Sequence, residues 1–341
     1  MQLVGLPIHR IRQETDDTKT FFLEAPTGFT YVPGQFLTVV RQPGQAEVRR
    51  QYSLSTHPRL DEHPAITVKR IDNGEYSRWL FDEAKPGDVV NAAGVSGLFT
   101  LPADTTGLKK IIFIAAGSGI TPIHSMIKEV LHFHPHLQAL LIYSNRSAAS
   151  TVFLDELKQL QSKFPSRLTI EWLFSNAQNL LRARLNRLLL EEFYRQYVNE
   201  PLRTWFYVCG PEDYREMVTI TLLTEGVPAD HIRREIFHSP PQENPPQPPD
   251  KKEHTAKVIL KSETHTFKVK YPITILQAAQ RLNIAIPYSC EAGRCGACAA
   301  TCLKGEVWMR RNEVLLDSET ERGRVLTCTG YPIKGDVELL F

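Results

Sequence analysis

Cysteine is scarce in this chain. There are six in 341 residues, and four of them fall between Cys290 and Cys302. A disulfide framework running the length of the molecule is therefore excluded. An excess of charge is also missing: 40 Lys plus Arg face 38 Asp plus Glu, a net +2. That balance gives no footing for nucleic acid or an anionic membrane as partner. No apolar run approaches the ~18 residues that a membrane helix needs. The opening MQLVGLPIHR has no basic stretch followed by an apolar run, so no secretory leader is read there. Internal repeats are absent. These absences describe a cytoplasmic chain, in which thiols stay reduced. Clustered cysteines then point to metal or redox chemistry.

A chain of 341 residues is too long for one typical core. The clearest boundary is HSPPQENPPQPPDKKE, from His238 to Glu253. Proline can neither donate to a ladder nor continue a helix, so an extended, semi-rigid linker is expected. The first hundred residues hold short runs rich in β-branched and aromatic residues, FFLEA, GQFLTVV, RQYSLST and AITVKRI, parted by turn clusters such as RQPGQ and KPGD. Many short strands of this kind suggest an antiparallel β-barrel. From Lys109 the pattern changes. KKIIFIAAG, ALLIYS and TWFYVCG are continuous apolar runs, each followed by a helical pattern. Alternating strand and helix implies an α/β parallel-sheet domain. The expected division is a barrel at 1–105, an α/β domain at 106–238, a linker at 239–253 and a small module at 254–341.

Two stretches carry chemistry in their spacing. AAGSGITP closes the first parallel strand and opens a helix, with Thr121 as candidate N-cap and Pro122 at the favoured first helical position. Glycines at a helix N-terminus make a pyrophosphate site; a plain strand-to-helix turn is the alternative. CEAGRCGAC places Cys290, Cys295 and Cys298 at the plant-type 2Fe–2S spacing, and Cys328 in VLTCTGYP is the candidate fourth thiolate. Gly293 and Gly296 allow the positive φ that a loop curling around a cluster needs. Backbone N–H groups there can point at sulfur and stabilise its charge. Cys295, Cys298, Cys302 and Cys328 could instead hold structural zinc. In the iron–sulfur reading Cys302 is a small buried hydrophobe.

From Lys257 to Phe341, through IPYSC, the cysteine loop and VLTC, the module resembles the plant-type ferredoxin domain. That resemblance implies a β-grasp fold. Residues 1–238 resemble the ferredoxin–NADP reductase superfamily, with its motifs in the expected order. RRQYSLS matches R-x-Y-S, which implies Arg50 on the flavin pyrophosphate, Tyr52 on the isoalloxazine and Ser53 at flavin N5. ITVKR and NGEYS imply Val68, Lys69, Gly74 and Ser77 as flavin-phosphate contacts. GVSGLF resembles G-P-x-G-x-F, with Val95 in place of proline. G-x-G-x-T-P carries over as Gly117, Gly119, Thr121 and Pro122. YVCGP implies Cys209 and Gly210 beside the nicotinamide. REIF implies Phe237 at the flavin and Glu235 as a proton relay, although Glu235 reads equally as a solvated surface acid.

The resemblance as a whole implies an NAD(P)H-dependent reductase that passes electrons to FAD, to a 2Fe–2S cluster and on to an acceptor protein such as an oxygenase component. Ser53, Cys209 and Glu235 are its candidate catalytic residues. FMN stays open as the flavin. In whole-chain order the sequence most resembles the reductase components of phenylacetyl-CoA epoxidases. The end of ALLIYS in NRS offers Arg146 and Ser147 to a 2′-phosphate, which leans toward NADPH. Two other classes remain: a flavin reductase fused to a zinc-stapled binding module, and a flavin reductase with no protein acceptor.

Overall fold

The computed structural model describes residues 3–41, 47–238, 244–261 and 263–341. Strands β1 (Val4–Thr15), β2 (Thr18–Leu23), β3 (Phe36–Arg41), β4 (Val48–Ser53), β5 (Ala65–Lys69) and β6 (Val89–Ser96) make one sheet in the order β4-β3-β6-β1-β2-β5. A bridge between Leu54 and Ile66 and a 2.9 Å bond from Ser55 N–H to the Ala65 carbonyl join its two edges into a barrel. Alternate residues fill the interior, among them Leu6, Ile8, Leu37, Val39, Ile66 and Val68. The short helix α1 (Glu75–Arg78) follows β5. Strands β1 and β6 had no clear signature in the sequence. β1 is rich in polar residues on its outer side, where Arg10 lies 3.6 Å over the ring of Phe22.

The second sheet comprises β7 (Lys110–Ala116), β8 (Gln138–Asn145), β9 (Leu168–Phe174), β10 (Thr204–Cys209) and β11 (Ile232–Glu235), all parallel, in the order β11-β10-β7-β8-β9. Helices α2 (Ile120–Phe133), α3 (Leu154–Lys163), α4 (Arg187–Tyr197) and α5 (Glu212–Thr224) alternate with the strands. On β7, Ile111 and Phe113 pack with Ile123, Met126 and Leu157 of α2 and α3. Ile112 and Ile114 point the other way, to Leu189, Phe193, Val218 and Leu222 of α4 and α5. With both faces covered, the strand must be apolar throughout, which is why it reads as an unbroken run.

The start of α2 differs from expectation. The chain already coils into a 3-10 turn at Gly117–Gly119, so the helix begins at Ile120 with Gly119 as N-cap. Thr121 and Pro122 therefore lie inside the first turn. The Thr121 hydroxyl donates to the Ser118 carbonyl at 3.0 Å and caps nothing.

The third sheet holds β12 (His254–Leu260), β13 (Glu263–Val269), β14 (Ala299–Met309), β15 (Arg324–Leu326) and β16 (Gly330–Leu340), in the order β13-β12-β16-β14-β15. β12 and β16 run parallel and the other pairs antiparallel. Helix α6 (Ile275–Arg281) packs on this sheet, and α7 (Asp317–Glu321) precedes β15. The arrangement is the β-grasp fold. Thr274 caps α6: its hydroxyl accepts from Gln277 N–H at 3.2 Å, and the Gln277 side chain accepts from Thr274 N–H at 3.1 Å. Cys302 is half-buried, not the buried hydrophobe expected; its thiol donates to the Lys304 carbonyl at the bulge of β14.

Barrel and parallel sheet form one compact unit, and His238–Phe341 belongs to a second.

Candidate redox site

The end of β4 presents the first group of candidates. Arg50 is exposed, with its guanidinium on the Arg49 carbonyl at 2.8 Å. The ring of Tyr52 lies 6.0 Å from that of Tyr76. Burial, then the neighbouring Tyr76, raises the Tyr52 phenol against the pull of Arg50, so it stays neutral. Ser53 is buried, and its hydroxyl has no hydrogen-bond partner among the described residues. An orphaned buried hydroxyl is costly and needs an account. A polar ring atom of a bound flavin would supply one.

Around β5 the assignments separate. The Val68 side chain lies in the barrel core, so only its main chain is available to a ligand. Lys69 pairs with Asp17 at 3.1 Å. Gly74 is the N-cap of α1; a Cβ there would overlap the Ser77 hydroxyl. That hydroxyl donates to the Gly74 carbonyl at 3.1 Å and accepts from Ile71 N–H at 3.3 Å, so it holds the turn itself.

In the parallel sheet, the turns after β7 and β10 abut. Gly117 is left-handed, with φ +53°. A Cβ on Gly119 would overlap the Cys209 carbonyl, and one on Gly210 would come within 3.0 Å of the Ala116 Cβ. Cys209 is buried, and burial followed by the nearby Glu235 raises its thiol well above the ordinary range. It is a neutral thiol. Glu235 sits opposite Cys209 in the β10–β11 register and is only 8% exposed, which overturns the reading of a solvated surface acid. Phe237 is 42% exposed. Three residues that sequence reasoning missed brace this region. Tyr143 donates to the Gly117 carbonyl at 3.0 Å, Tyr214 to the Ala115 carbonyl at 3.2 Å, and buried Arg215 to the Gly210 carbonyl at 2.6 Å. Both tyrosines sit within apolar or helical runs where nothing sets their hydroxyls apart. Beyond β8, Arg146 is exposed, while the Ser147 hydroxyl caps the 3-10 turn Ala148–Ser150.

In the β-grasp unit, Gly293 and Gly296 take φ of +74° and +72°, as a sharply curled loop requires. A Cβ on Gly293 would come within 2.6 Å of the Arg311 carbonyl. Ala292 N–H points at the Cys290 sulfur, 3.4 Å away. The Cys290 thiol interacts with those of Cys295 and Cys328, and the Cys298 thiol with that of Cys328. Those contacts, with the backbone N–H groups of Arg294 and Ala292, push the Cys290 thiol down. Cys302 stands apart, bonded to its own turn. Among the described residues no group of three or more His, Cys, Asp or Glu is arranged to hold a metal ion. A binuclear cluster asks only for two thiolates on each iron. Cys290, Cys295, Cys298 and Cys328 would meet that requirement, with Cys302 set apart.

Residues 6–101 match the oxidoreductase FAD-binding domain family, 113–220 the oxidoreductase NAD-binding domain family, and 258–332 the 2Fe-2S iron-sulfur cluster binding domain family. The ferredoxin reductase component of 3-ketosteroid-9-alpha-monooxygenase from Mycobacterium tuberculosis is 33% identical, over 99% of this chain and 96% of its own. The chain belongs to the ferredoxin reductase components of oxygenase systems. One component of the 1,2-phenylacetyl-CoA epoxidase from Escherichia coli is 28% identical over 99% of this chain and 97% of its own. Phthalate dioxygenase reductase shares the fold, with a TM-score of 0.61 at 24% identity over 99% of this chain and 98% of that one. An intact type IV self-sufficient cytochrome P450 monooxygenase gives a TM-score of 0.73 at 26% identity; 99% of this chain covers only 41% of that protein.

As a ferredoxin reductase, the chain carries electrons from NAD(P)H through FAD to a 2Fe–2S cluster. FAD, when bound, supplies the exchange of one hydride for two single electrons, and the protein supplies orientation and electrostatics. No helix is long and apolar enough to cross a membrane, among the described residues.

Proposed function

We propose that this reductase delivers its electrons to an oxygenase component, with the cluster as the point of exit. The observation that carries this is the gathering of the Cys290, Cys295, Cys298 and Cys328 thiols, with Cys302 left out. On this reading Cys290, Cys295, Cys298 and Cys328 ligate the cluster. Ser53 directs its free hydroxyl to the flavin, beside the neutral face of Tyr52 and the exposed charge of Arg50. Lys69, Gly74 and the main chain at Val68 complete the flavin-phosphate side, Ser77 shapes that turn, and Phe237 is exposed to cover the ring. Gly117 and Gly119 bring the turn before α2 close to a pyrophosphate, with Thr121 and Pro122 stiffening its first turn. Cys209 and Gly210 line the nicotinamide end, where neutral Cys209 offers bulk without a competing nucleophile. Buried Glu235 is the group placed to hold a proton there. The relatives named above serve oxygenases, which supports an acceptor of that class. The working division remains 1–105, 106–238, 239–253 and 254–341.

NADPH is the proposed donor. Arg182 is committed to Glu171 at 2.7 Å, whereas exposed Arg146 has no ion-pair partner among the described residues. A guanidinium left free in this way suits a 2′-phosphate.

A visible spectrum with iron and zinc analysis tests the main reading. Flavin bands, broad 2Fe–2S absorption and two irons per chain are expected; zinc without iron overturns it. Steady-state kinetics test the donor: a higher kcat/KM for NADH, unchanged by Arg146→Ala, removes the 2′-phosphate contact.

A further inference from the structure

Helix α2 begins at the glycine turn and, two residues after Pro122, reaches into the flavin barrel. His124 is 1% exposed, and its Nδ1 lies 3.0 Å from the Ser55 carbonyl oxygen. A carbonyl only accepts, so Nδ1 carries a proton and donates. The next residue, Ser125, is fully buried; its hydroxyl accepts from Gly34 N–H at 3.2 Å and donates to the Pro122 carbonyl at 2.9 Å. Gly34 and Ser55 follow on from one rung of the barrel, the antiparallel pair Phe36–Ser53, two residues beyond it on the two strands. Two adjacent side chains of α2 thus hold the main chain of both strands just beyond the rung that carries the Ser53 hydroxyl.

The barrel has need of this support. β4 ends at Ser53, and closure beyond it rests on the bridge Leu54–Ile66 and the bond from Ser55 to Ala65. A strand leaving its ladder has little of its own to fix it, and a buried side-chain donor supplies the missing bond. His124 is itself well held. Its ring stacks on Phe153 at 4.2 Å and 21°, and its Nε2 lies 3.2 Å from the Glu156 carboxylate without the alignment of a hydrogen bond. Glu156 also pairs with Arg12 of β1 and feels the charge of Lys128.

We propose that His124 and Ser125 are positioning residues that fix the flavin-facing hydroxyl of Ser53 and tie it to the nucleotide turn on the same helix. The proposal rests on the assignment of Ser53 to the flavin made above. It gives α2 two tasks: its N-terminal turn meets the dinucleotide, and one turn later it sets the group beside which hydride is received. A displacement of about 1 Å at such a group can cost about a hundredfold in rate.

The test uses the full-length, cofactor-loaded protein and five variants: His124→Leu, His124→Asn, His124→Gln, Ser125→Ala and Ser53→Ala. Asparagine keeps a donor at the Nδ1 position, and glutamine keeps one at the Nε2 position. Hydrogen–deuterium exchange across Gln51–His57 reports the anchoring directly. Stopped-flow bleaching of the flavin by NAD(P)H reports its consequence. In His124→Leu and His124→Gln, exchange should rise about tenfold and bleaching slow by about tenfold or more. His124→Asn should restore both to within about threefold. Equal behaviour of the Asn and Leu variants would overturn the proposal, because packing or the Glu156 contact would then be what matters. Unchanged exchange in every His124 variant overturns it too. If His124→Leu does not fold, Ser125→Ala decides: exchange raised at least about threefold supports the anchoring, and wild-type exchange overturns it. Wild-type bleaching in Ser53→Ala would remove the flavin assignment of Ser53, while the exchange data still judge the anchor by itself.

Discussion

The phenol of Tyr143 donates to the carbonyl of Gly117 at 3.0 Å, so a buried side chain on β8 holds the left-handed glycine of the nucleotide turn from beneath. Its ring is completely buried and its hydroxyl also reaches the Val152 carbonyl. Tyr143→Phe leaves both carbonyls without this donor but keeps the packing. The expected cost is about 1 kcal/mol in stability. The informative readout is kinetic. KM for the nicotinamide nucleotide should rise about three- to tenfold with kcat for ferricyanide nearly unchanged, the pattern of lost uniform binding. An unchanged KM would show that the turn holds its shape without the tyrosine.

Two glycines of the same turn should respond differently to alanine. A Cβ at Gly119 would overlap the Cys209 carbonyl, which is main chain and cannot swing aside. At Gly117 the Cβ would meet open space, and only the φ of +53° opposes it. Gly117→Ala should therefore cost about 1 kcal/mol. Gly119→Ala should push β7 and β10 apart and abolish nucleotide-dependent flavin reduction. Flavin reduction by dithionite, which needs no nucleotide site, should persist in both. Comparable nucleotide affinity in the two variants would refute the close approach.

This contrast shows where the sequence was legible. Alternation and apolar runs marked the covered sheet because burial on both faces forces composition, as at Ile111–Ile114. The cysteine loop was legible because three cysteines at this spacing and two left-handed glycines leave few other arrangements. β1 stayed hidden, since a barrel strand with one solvated face can be largely polar. The helix start was misplaced at Thr121 because a 3-10 turn inside GSG has no composition of its own. The braces at Tyr143, Arg215 and His124 could not be found, since each acts on main chain outside its own motif. Glu235 was ambiguous for a related reason, as its burial comes from its neighbour strand.

The cysteines make a sharper test. Cys290→Ser, Cys295→Ser, Cys298→Ser and Cys328→Ser should each lose or destabilise the cluster, read as a fall in bound iron and in absorption beyond the flavin bands. Cys302→Ser should keep both, because that thiol bonds only to its own turn. Ferricyanide reduction should survive in all five, since the flavin reduces that acceptor directly. Full iron content in Cys328→Ser, with loss in Cys302→Ser, would reverse the assignment.

Acid should loosen the barrel from the parallel sheet. Burial alone would raise the carboxyl of Glu129, but hydrogen bonds and charge from His57, Arg59 and His134 outweigh it and hold the carboxyl at about 2, against an ordinary 4.5. His57 Nε2 lies 2.6 Å from this carboxylate, while its Nδ1 accepts from Arg59 N–H. A carboxyl depressed in the folded state stabilises it fully above 4.5, and that contribution fades as pH falls from 4.5 toward 2. Glu129→Gln should thus be less stable than the parent at pH 7. The gap should narrow steadily below pH 4.5 in thermal melts. A gap independent of pH would mean that packing, not charge, is what Glu129 contributes.

The proline-rich segment is less free than its composition suggests, and this bears on how electrons reach the cluster. Pro248 is buried, and the Asp250 carboxylate accepts from Lys252 N–H at 2.9 Å and Lys334 N–H at 3.1 Å and meets His254 Nε2 at 2.7 Å. The chain from Pro248 onward is thus docked on the β-grasp unit. From His254 to Phe341 the unit has 12 Lys plus Arg against 9 Asp plus Glu, about +3. It lacks the acidic bias by which a free ferredoxin would find a basic reductase. A short tether supplies millimolar effective concentration without a charged interface. Cleavage at a protease site introduced between Gln242 and Glu243 should therefore leave both cofactors bound and ferricyanide reduction intact. Cytochrome c reduction should fall sharply at micromolar protein and recover only on concentration. Doubling the tether in the intact chain should slow it only about threefold, as the −3/2 power of length requires. Full-rate cytochrome c reduction after cleavage, unaffected by dilution, would mean that a specific docking surface brings the two units together and that the tether is dispensable.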